Sequence, residues 1–162
     1  MNVFISYSVA DTDLVATVAN QIKDKANVRY WNVSKAPGKE IWPTIFSWID
    51  TADLVLVLIT DKTMKRGLSV GQEIGHAKKG GKQIIPLVAK DVDNADLGCL
   101  SGIIYIPLDV ENLGDAIKAV IKELEKIQWE AQQLKEQTEQ KQKEGVFLLA
   151  CLAFLLFIFN KK

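Results

Sequence analysis

Short apolar runs alternate along this chain with stretches whose apolar residues recur every three or four positions. Val3–Ser6, Val28–Trp31, Leu54–Thr60, Gln83–Val88 and Ile103–Pro107 read as five strands. The third is apolar on both faces, the mark of a central parallel strand covered by helices on each side. Between the runs, Asp11–Lys25 sets Leu14, Val18 and Ile22 on one helical stripe. Ile41–Thr51 opens near Pro43, tolerated in a first turn, and Ser69–Lys79 stops at Gly80-Gly81. Glu111–Ile127 directs Leu113, Ile117, Val120, Ile121 and Leu124 inward. This order predicts an α/β fold, an open parallel five-stranded sheet with helices on both faces and a long C-terminal helix. Such sheets bind ligands outside the carboxyl ends of their strands.

Past Ile127 the pattern changes. Residues 128–144 are dominated by Gln, Glu and Lys, and no apolar residue follows Leu134 until Val146. A coiled-coil seam needs sustained apolar a and d positions, so this stretch reads as a polar helical stalk. Val146–Phe159 are then fourteen consecutive apolar residues holding four of the six Phe. As a helix they reach about 21 Å, against a hydrocarbon core of about 30 Å. Gly145 and Asn160-Lys161-Lys162, with snorkelling lysines, extend the reach to about 27 Å. The resulting expectation is a globular domain over 1–127, a stalk over 128–144 and a single-pass membrane anchor over 145–162. Membrane lipid is then a partner and the domain lies in the cytoplasm.

Composition narrows the classes further. The 162 residues carry 20 basic and 20 acidic side chains, with no Lys/Arg-rich run, so nothing favours a nucleic-acid surface. Two cysteines make no disulfide framework, and one histidine supplies no metal spacing. The first residues lack the basic and long apolar regions of a signal peptide. There is no phosphate loop and no GxGxxG, so no nucleotide cofactor is expected.

Three segments are expected to meet at the strand ends: Ser6-Tyr7-Ser8, the loop Val33–Glu40, and Ser69-Val70-Gly71-Gln72-Glu73. Glu73 lies one helical turn after Ser69, on the same face. A carboxylate held in a cleft suits N-glycosidic cleavage, whose oxocarbenium-like transition state a negative charge stabilises or captures. The plain alternative is a surface glutamate paired with Lys78 or Arg66. Trp31 and Trp48 read as packing residues, His76 as a partly exposed helix residue, and Asp11 with Ser8 as helix-capping chemistry.

Phe4-Ile5-Ser6-Tyr7-Ser8 followed by Asp11 and Asp13 resembles the first strand and loop of the TIR (Toll/interleukin-1 receptor) domain. Asp50-Thr51-Ala52-Asp53-Leu54-Val55-Leu56-Val57-Leu58 resembles that family's second helix and central strand. Ser69-Val70-Gly71-Gln72-Glu73-Ile74-Gly75-His76-Ala77, then Gly81–Val88, resembles its prokaryotic branch. The resemblance implies a flavodoxin-like fold and cleavage of NAD to nicotinamide and ADP-ribose or a cyclic ADP-ribose, in antiviral defence. It also implies that Glu73 is catalytic and that Tyr7, Ser8, Lys35 and Ser69 bind substrate, with Gly38 at the turn of the Val33–Glu40 loop. Ser69 stands where the family often carries Trp, which leaves rate and product open. The family further implies TIR–TIR homo-oligomers in which that loop completes a neighbour's pocket, and a companion effector reading the product. Two other functions remain open at this point. One is a non-catalytic TIR scaffold. The other is an enzyme like the nucleoside deoxyribosyltransferases, which the Gln-Glu-Ile-Gly-His-Ala string also resembles.

Overall fold

The computed structural model describes residues 1–31, 40–65, 68–92 and 97–159; for 64–65 and 144–159 only the backbone is described. Five strands, β1 (Asn2–Ser6), β2 (Asn27–Tyr30), β3 (Leu54–Ile59), β4 (Gln83–Ala89) and β5 (Ile106–Leu108), form one sheet in the order β2-β1-β3-β4-β5. Every pairing is parallel. The helices are α1 (Thr12–Ile22), α2 (Trp42–Asp50), α3 (Asp61–Lys65), α4 (Leu68–Lys79) and α5 (Gly114–Phe159). This is the flavodoxin-like arrangement, in which strand order reverses between β1 and β3 and leaves a crevice at their carboxyl ends.

Alternation along the strands divides the core. Phe4, Val55, Val57, Ile59 and Val88 join Ile45 and Ile49 of α2 and Val70, Ile74 and Ala77 of α4 in one buried cluster. Their strand neighbours Val3, Ile5, Leu56, Leu58 and Leu87 are also buried, on the opposite face. All six residues of β3 are buried, which its unbroken apolar run requires. In α1 the buried residues are Val15, Val18, Ala19 and Ile22, and Leu14 is only half-buried. In the first turns of α5 they are Ala116, Val120 and Leu124, spaced by four.

Two differences from the expected elements have local causes. β5 begins at Ile106 and not at Ile103. Pro86 offers no N–H, pairing between β4 and β5 begins only at Leu87, and Gly102 turns the chain at φ 82° just before. The short helix α3 follows Thr60, whose hydroxyl accepts from the backbone N–H groups of Lys62 and Thr63. α4 does end at its glycines. Gly81, at φ 64°, donates to the Lys78 carbonyl and Lys82 donates to that of Ala77, a closure open to glycine because it has no Cβ.

The chain divides into two compact units, Met1–Leu124 and Glu125–Lys162. α5 runs on as helix through the polar residues and the apolar ones to Phe159. The expected membrane anchor over 145–162 is corrected here, and with it the membrane localisation and lipid partner. Among the described residues no helix is long and apolar enough to cross a membrane. The physical reason is length. Fourteen apolar residues reach about 21 Å, and lengthening the segment recruits Glu144, Asn160, Lys161 and Lys162, which are polar or charged.

Candidate active site

α4 buries a stripe of Val70, Ile74 and Ala77, and Glu73 lies on that same stripe, only 6% exposed. A carboxylate there is costly unless something receives it. Ser6, the last residue of β1, alternates with Tyr7 and so shares a strand face with Phe4, on the α4 side. Its hydroxyl, fully buried, donates to Glu73 Oε2. Among the described residues this is the one hydrogen bond to the Glu73 side chain. Burial pushes the Glu73 carboxyl up and the Ser6 hydroxyl pulls it part of the way back, which leaves it at about 7. The result is a carboxyl group poised between acid and carboxylate near neutral pH.

Tyr7 and Ser8 continue the strand past the sheet, and both are buried. The Tyr7 hydroxyl donates to the backbone carbonyl of Trp31, just after β2, and its ring meets Tyr30 edge-on at 6.1 Å. Burial raises the Tyr7 pKa most; a hydrogen bond with Thr12 opposes this, and the charges of Tyr30 and Glu73 add to it. Ser8 Oγ has no hydrogen-bond partner among the described residues although it is buried. A buried hydroxyl left unmatched is costly, and here it sits two residues along the strand from Ser6. Ser69, expected to share the face of Glu73, is exposed in the first turn of α4. Lys35 and Gly38 lie outside the described residues, as does most of the Val33–Glu40 loop.

Trp31 and Trp48 pack at 6.2 Å ring separation against the α2–α4 core cluster, as packing residues do. His76 is half-buried where α4 meets α2, stacked on Phe46 at 4.3 Å with Nε2 2.7 Å from Asp50 Oδ1. The capping role expected for Asp11 and Ser8 is corrected: neither side chain makes a cap hydrogen bond. Asp11 instead points across the crevice. Its Oδ2 accepts from Thr60 Oγ1 at 2.6 Å, and its Oδ1 lies 3.1 Å from Lys62 Nζ. This cluster borders a cleft of ≈ 310 Å³ that Asp13, Asp61 and Asp91 also line. Among the described residues no group of three or more His, Cys, Asp or Glu is placed to hold a metal ion.

Sequence reasoning missed the individual role of Ser6. The signal was present: a serine closing the apolar run Val3–Ile5, at a position whose period-two partner Phe4 faces the helix of Glu73.

Fold and site together define a parallel α/β domain of flavodoxin-like order with a buried carboxyl group at the carboxyl edge of its sheet. A family model described as TIR domain matches residues 3–121, and the chain belongs to the TIR domain family. No curated protein matches it significantly. Among solved structures it is similar to the TIR domains of the activated Roq1 resistosome that directly recognises the pathogen effector XopQ. That match has TM-score 0.50 and 18% identity and covers 62% of this chain and 64% of that one, just under two thirds of its length. It is similar to a CMP N-glycosidase, BcmB, of Clostridium botulinum, with TM-score 0.53 and 18% identity over 74% of this chain and 97% of that one. It is also similar to the TIR domain of the Toll-related receptor TRR-2 of Hydra magnipapillata, with TM-score 0.50 and 15% identity over 65% and 82%. At these identities the likeness is one of fold.

Proposed function

We propose that this TIR domain is an N-glycosidase of the prokaryotic, NAD-cleaving kind, acting on the nicotinamide–ribose bond of NAD with Glu73 as the catalytic carboxylate. The observation that carries the reading is the burial of Glu73 on the apolar stripe of α4, with Ser6 as its hydrogen-bond donor. Helix packing alone is better served by Leu or Met at that position.

In the proposed reaction the C1′–N1 bond breaks heterolytically. Its electron pair leaves with the pyridinium nitrogen, so nicotinamide departs neutral and needs no general acid. Positive charge develops on C1′ and the ring oxygen, where ionised Glu73 stabilises it or captures the sugar. Water then attacks C1′ to give ADP-ribose, or an adenine nitrogen attacks to give a cyclic ADP-ribose. The proton released passes to Glu73 or to solvent. The cationic nicotinamide ring of the substrate, placed beside Glu73, also favours its ionised form, countering the effect of burial. Ser8, with its unmatched hydroxyl, Tyr7, Lys35 and Ser69 are the proposed substrate contacts. Assembly through TIR–TIR contacts, defence signalling and a companion effector belong to the same proposal.

A second substrate class is favoured by the likeness to a CMP N-glycosidase, which spans 97% of that chain. Incubating the protein at high concentration with NAD and, separately, with CMP, and resolving nicotinamide, ADP-ribose, cyclic products and cytosine by chromatography, tests both. Release of nicotinamide supports the proposal. Release of cytosine alone moves it to nucleotides, and release of neither under conditions that assemble the protein leaves the scaffold reading standing.

A further inference from the structure

We infer that Ser6 is a positioning residue for Glu73: its buried hydroxyl, donated to Oε2, fixes the carboxyl group in one orientation and turns Oε1 toward the reacting bond. This rests on the reading of Glu73 as the glycosidic carboxylate.

The geometry has three parts. First, Ser6 is rigid. It closes β1, an interior strand flanked by β2 and β3, and is paired in register with Val57. Its backbone cannot drift without disturbing the sheet. Second, Glu73 needs a constraint. A glutamate has three side-chain torsions, and the neighbours of Glu73 on its stripe are Val70, Ile74 and Ala77, which restrict its volume but direct neither oxygen. Third, the constraint distinguishes the two oxygens. Oε2 is occupied by Ser6, while Oε1 has no hydrogen-bond partner among the described residues. A carboxylate whose two oxygens differ in this way presents one lone-pair set to an incoming electrophilic carbon and anchors itself through the other.

The same bond also tunes Glu73. A hydroxyl that donates to a carboxylate favours the ionised form, the form the reaction uses. Among the described residues, Tyr7 is the titratable group from the facing strand end whose charge interaction reaches Glu73, and it is neutral through the pH range in question. Ser6 is therefore the near neighbour on which the acid limb of the reaction depends.

The test compares wild type with Ser6→Ala and Ser6→Thr. Ser6→Ala lowers kcat for the N-glycoside about tenfold or more and leaves KM within about twofold. It also moves the acid limb of the pH profile upward by about one pH unit, the size expected for a hydrogen bond to a charged group. Ser6→Thr, which keeps the hydroxyl and suits a strand, recovers most of kcat and returns the limb. A carboxyl ¹³C NMR titration of Glu73 follows the same three proteins without turnover. An active wild type whose profile and titration ignore Ser6→Ala, or a Ser6→Thr variant as impaired as Ser6→Ala, overturns the positioning role alone. A wild type that cleaves no N-glycoside tested, while its Glu73 titration still moves in Ser6→Ala, overturns the glycosidase reading and the catalytic meaning of the pair.

Discussion

The hydroxyl of Ser6 and the carboxyl group of Glu73 lie 67 residues apart in sequence and meet in a buried hydrogen bond between β1 and α4. The strand supplies rigidity and the helix supplies the acid, so each element needs the other to make a site. The consequences can be separated by experiment.

Removing the acid should abolish the reaction and spare the fold. Glu73→Gln keeps the shape and can still accept from Ser6, while Glu73→Ala leaves a small void. Both are expected to lose about 10²–10³-fold in NAD cleavage, the usual cost of a preorganised electrostatic group. Chromatography of nicotinamide release alongside far-UV circular dichroism checks this, and retention of activity in Glu73→Gln would sink the assignment.

The pH profile carries a sign. With Glu73 held up at about 7, the carboxylate fraction in the free protein rises through neutrality. kcat/KM for NAD should therefore rise from pH 6 to 8 with its midpoint near that value. The limb seen in kcat should lie lower, because the pyridinium ring of bound NAD favours the carboxylate. A flat profile across this range contradicts the role of Glu73 as the titrating group.

Stability runs the other way. The folded protein holds the Glu73 proton more tightly than the unfolded chain, whose ordinary value is 4.5. The native state thus loses stability as pH rises from there to about 7, and the loss is then constant. Glu73→Gln escapes this loss. At pH 8 it should be more stable than wild type by up to about 3 kcal/mol, with the difference vanishing toward pH 4. Urea melts at the two pH values read it directly.

The Tyr7 hydroxyl is engaged by the Trp31 carbonyl. Tyr7→Phe removes that hydroxyl and keeps the ring, the part of Tyr7 left for the proposed substrate contact, so it should cost about 1 kcal/mol of stability and change KM for NAD less than twofold. A large rise in KM with unchanged stability would instead assign that hydroxyl to the substrate.

Asp11 is a structural carboxylate by the same kind of argument, since Thr60 and Lys62 occupy its two oxygens. Asp11→Ala should destabilise by about 2–3 kcal/mol, leaving a buried threonine hydroxyl with one partner fewer. Turnover per folded molecule should be unchanged. A loss of kcat at full folding would bring the β1–β3 crevice into the reaction.

Much of this fold was legible because its signals are local and repeated. The apolar run of β3 announced a central parallel strand, and Gly80-Gly81 announced the end of α4. The departures came from particular hydrogen-bonding partners, some near in sequence and some distant. β5 is short because Pro86 on the neighbouring strand has no N–H to give, and α3 forms where Thr60 finds backbone donors. Asp11 looked like a cap and became a crevice residue because Thr60 and Lys62, some fifty positions away, reach it first. At the site, Glu73 was legible from its place in a segment expected at the strand ends, whereas its seat on the apolar stripe of α4 and the part played by Ser6 came only from the packing of α4 on β1. The tail misled for a simpler reason. Its hydrophobicity was conspicuous, while the decisive property was its length.

The position of Glu73 on the packing stripe of α4 also has a bearing on descent. A change to Gln, which still accepts from Ser6, is one that the fold itself rewards, so mutation and drift both lead away from the acid. Among the described residues, the buried Ser6 hydroxyl alone asks for an acceptor there, and an amide satisfies it as well as an acid. On the proposed reading, persistence of the glutamate in lineages that share this helix would record continued selection for chemistry, and its replacement would mark a TIR domain released to serve as a scaffold.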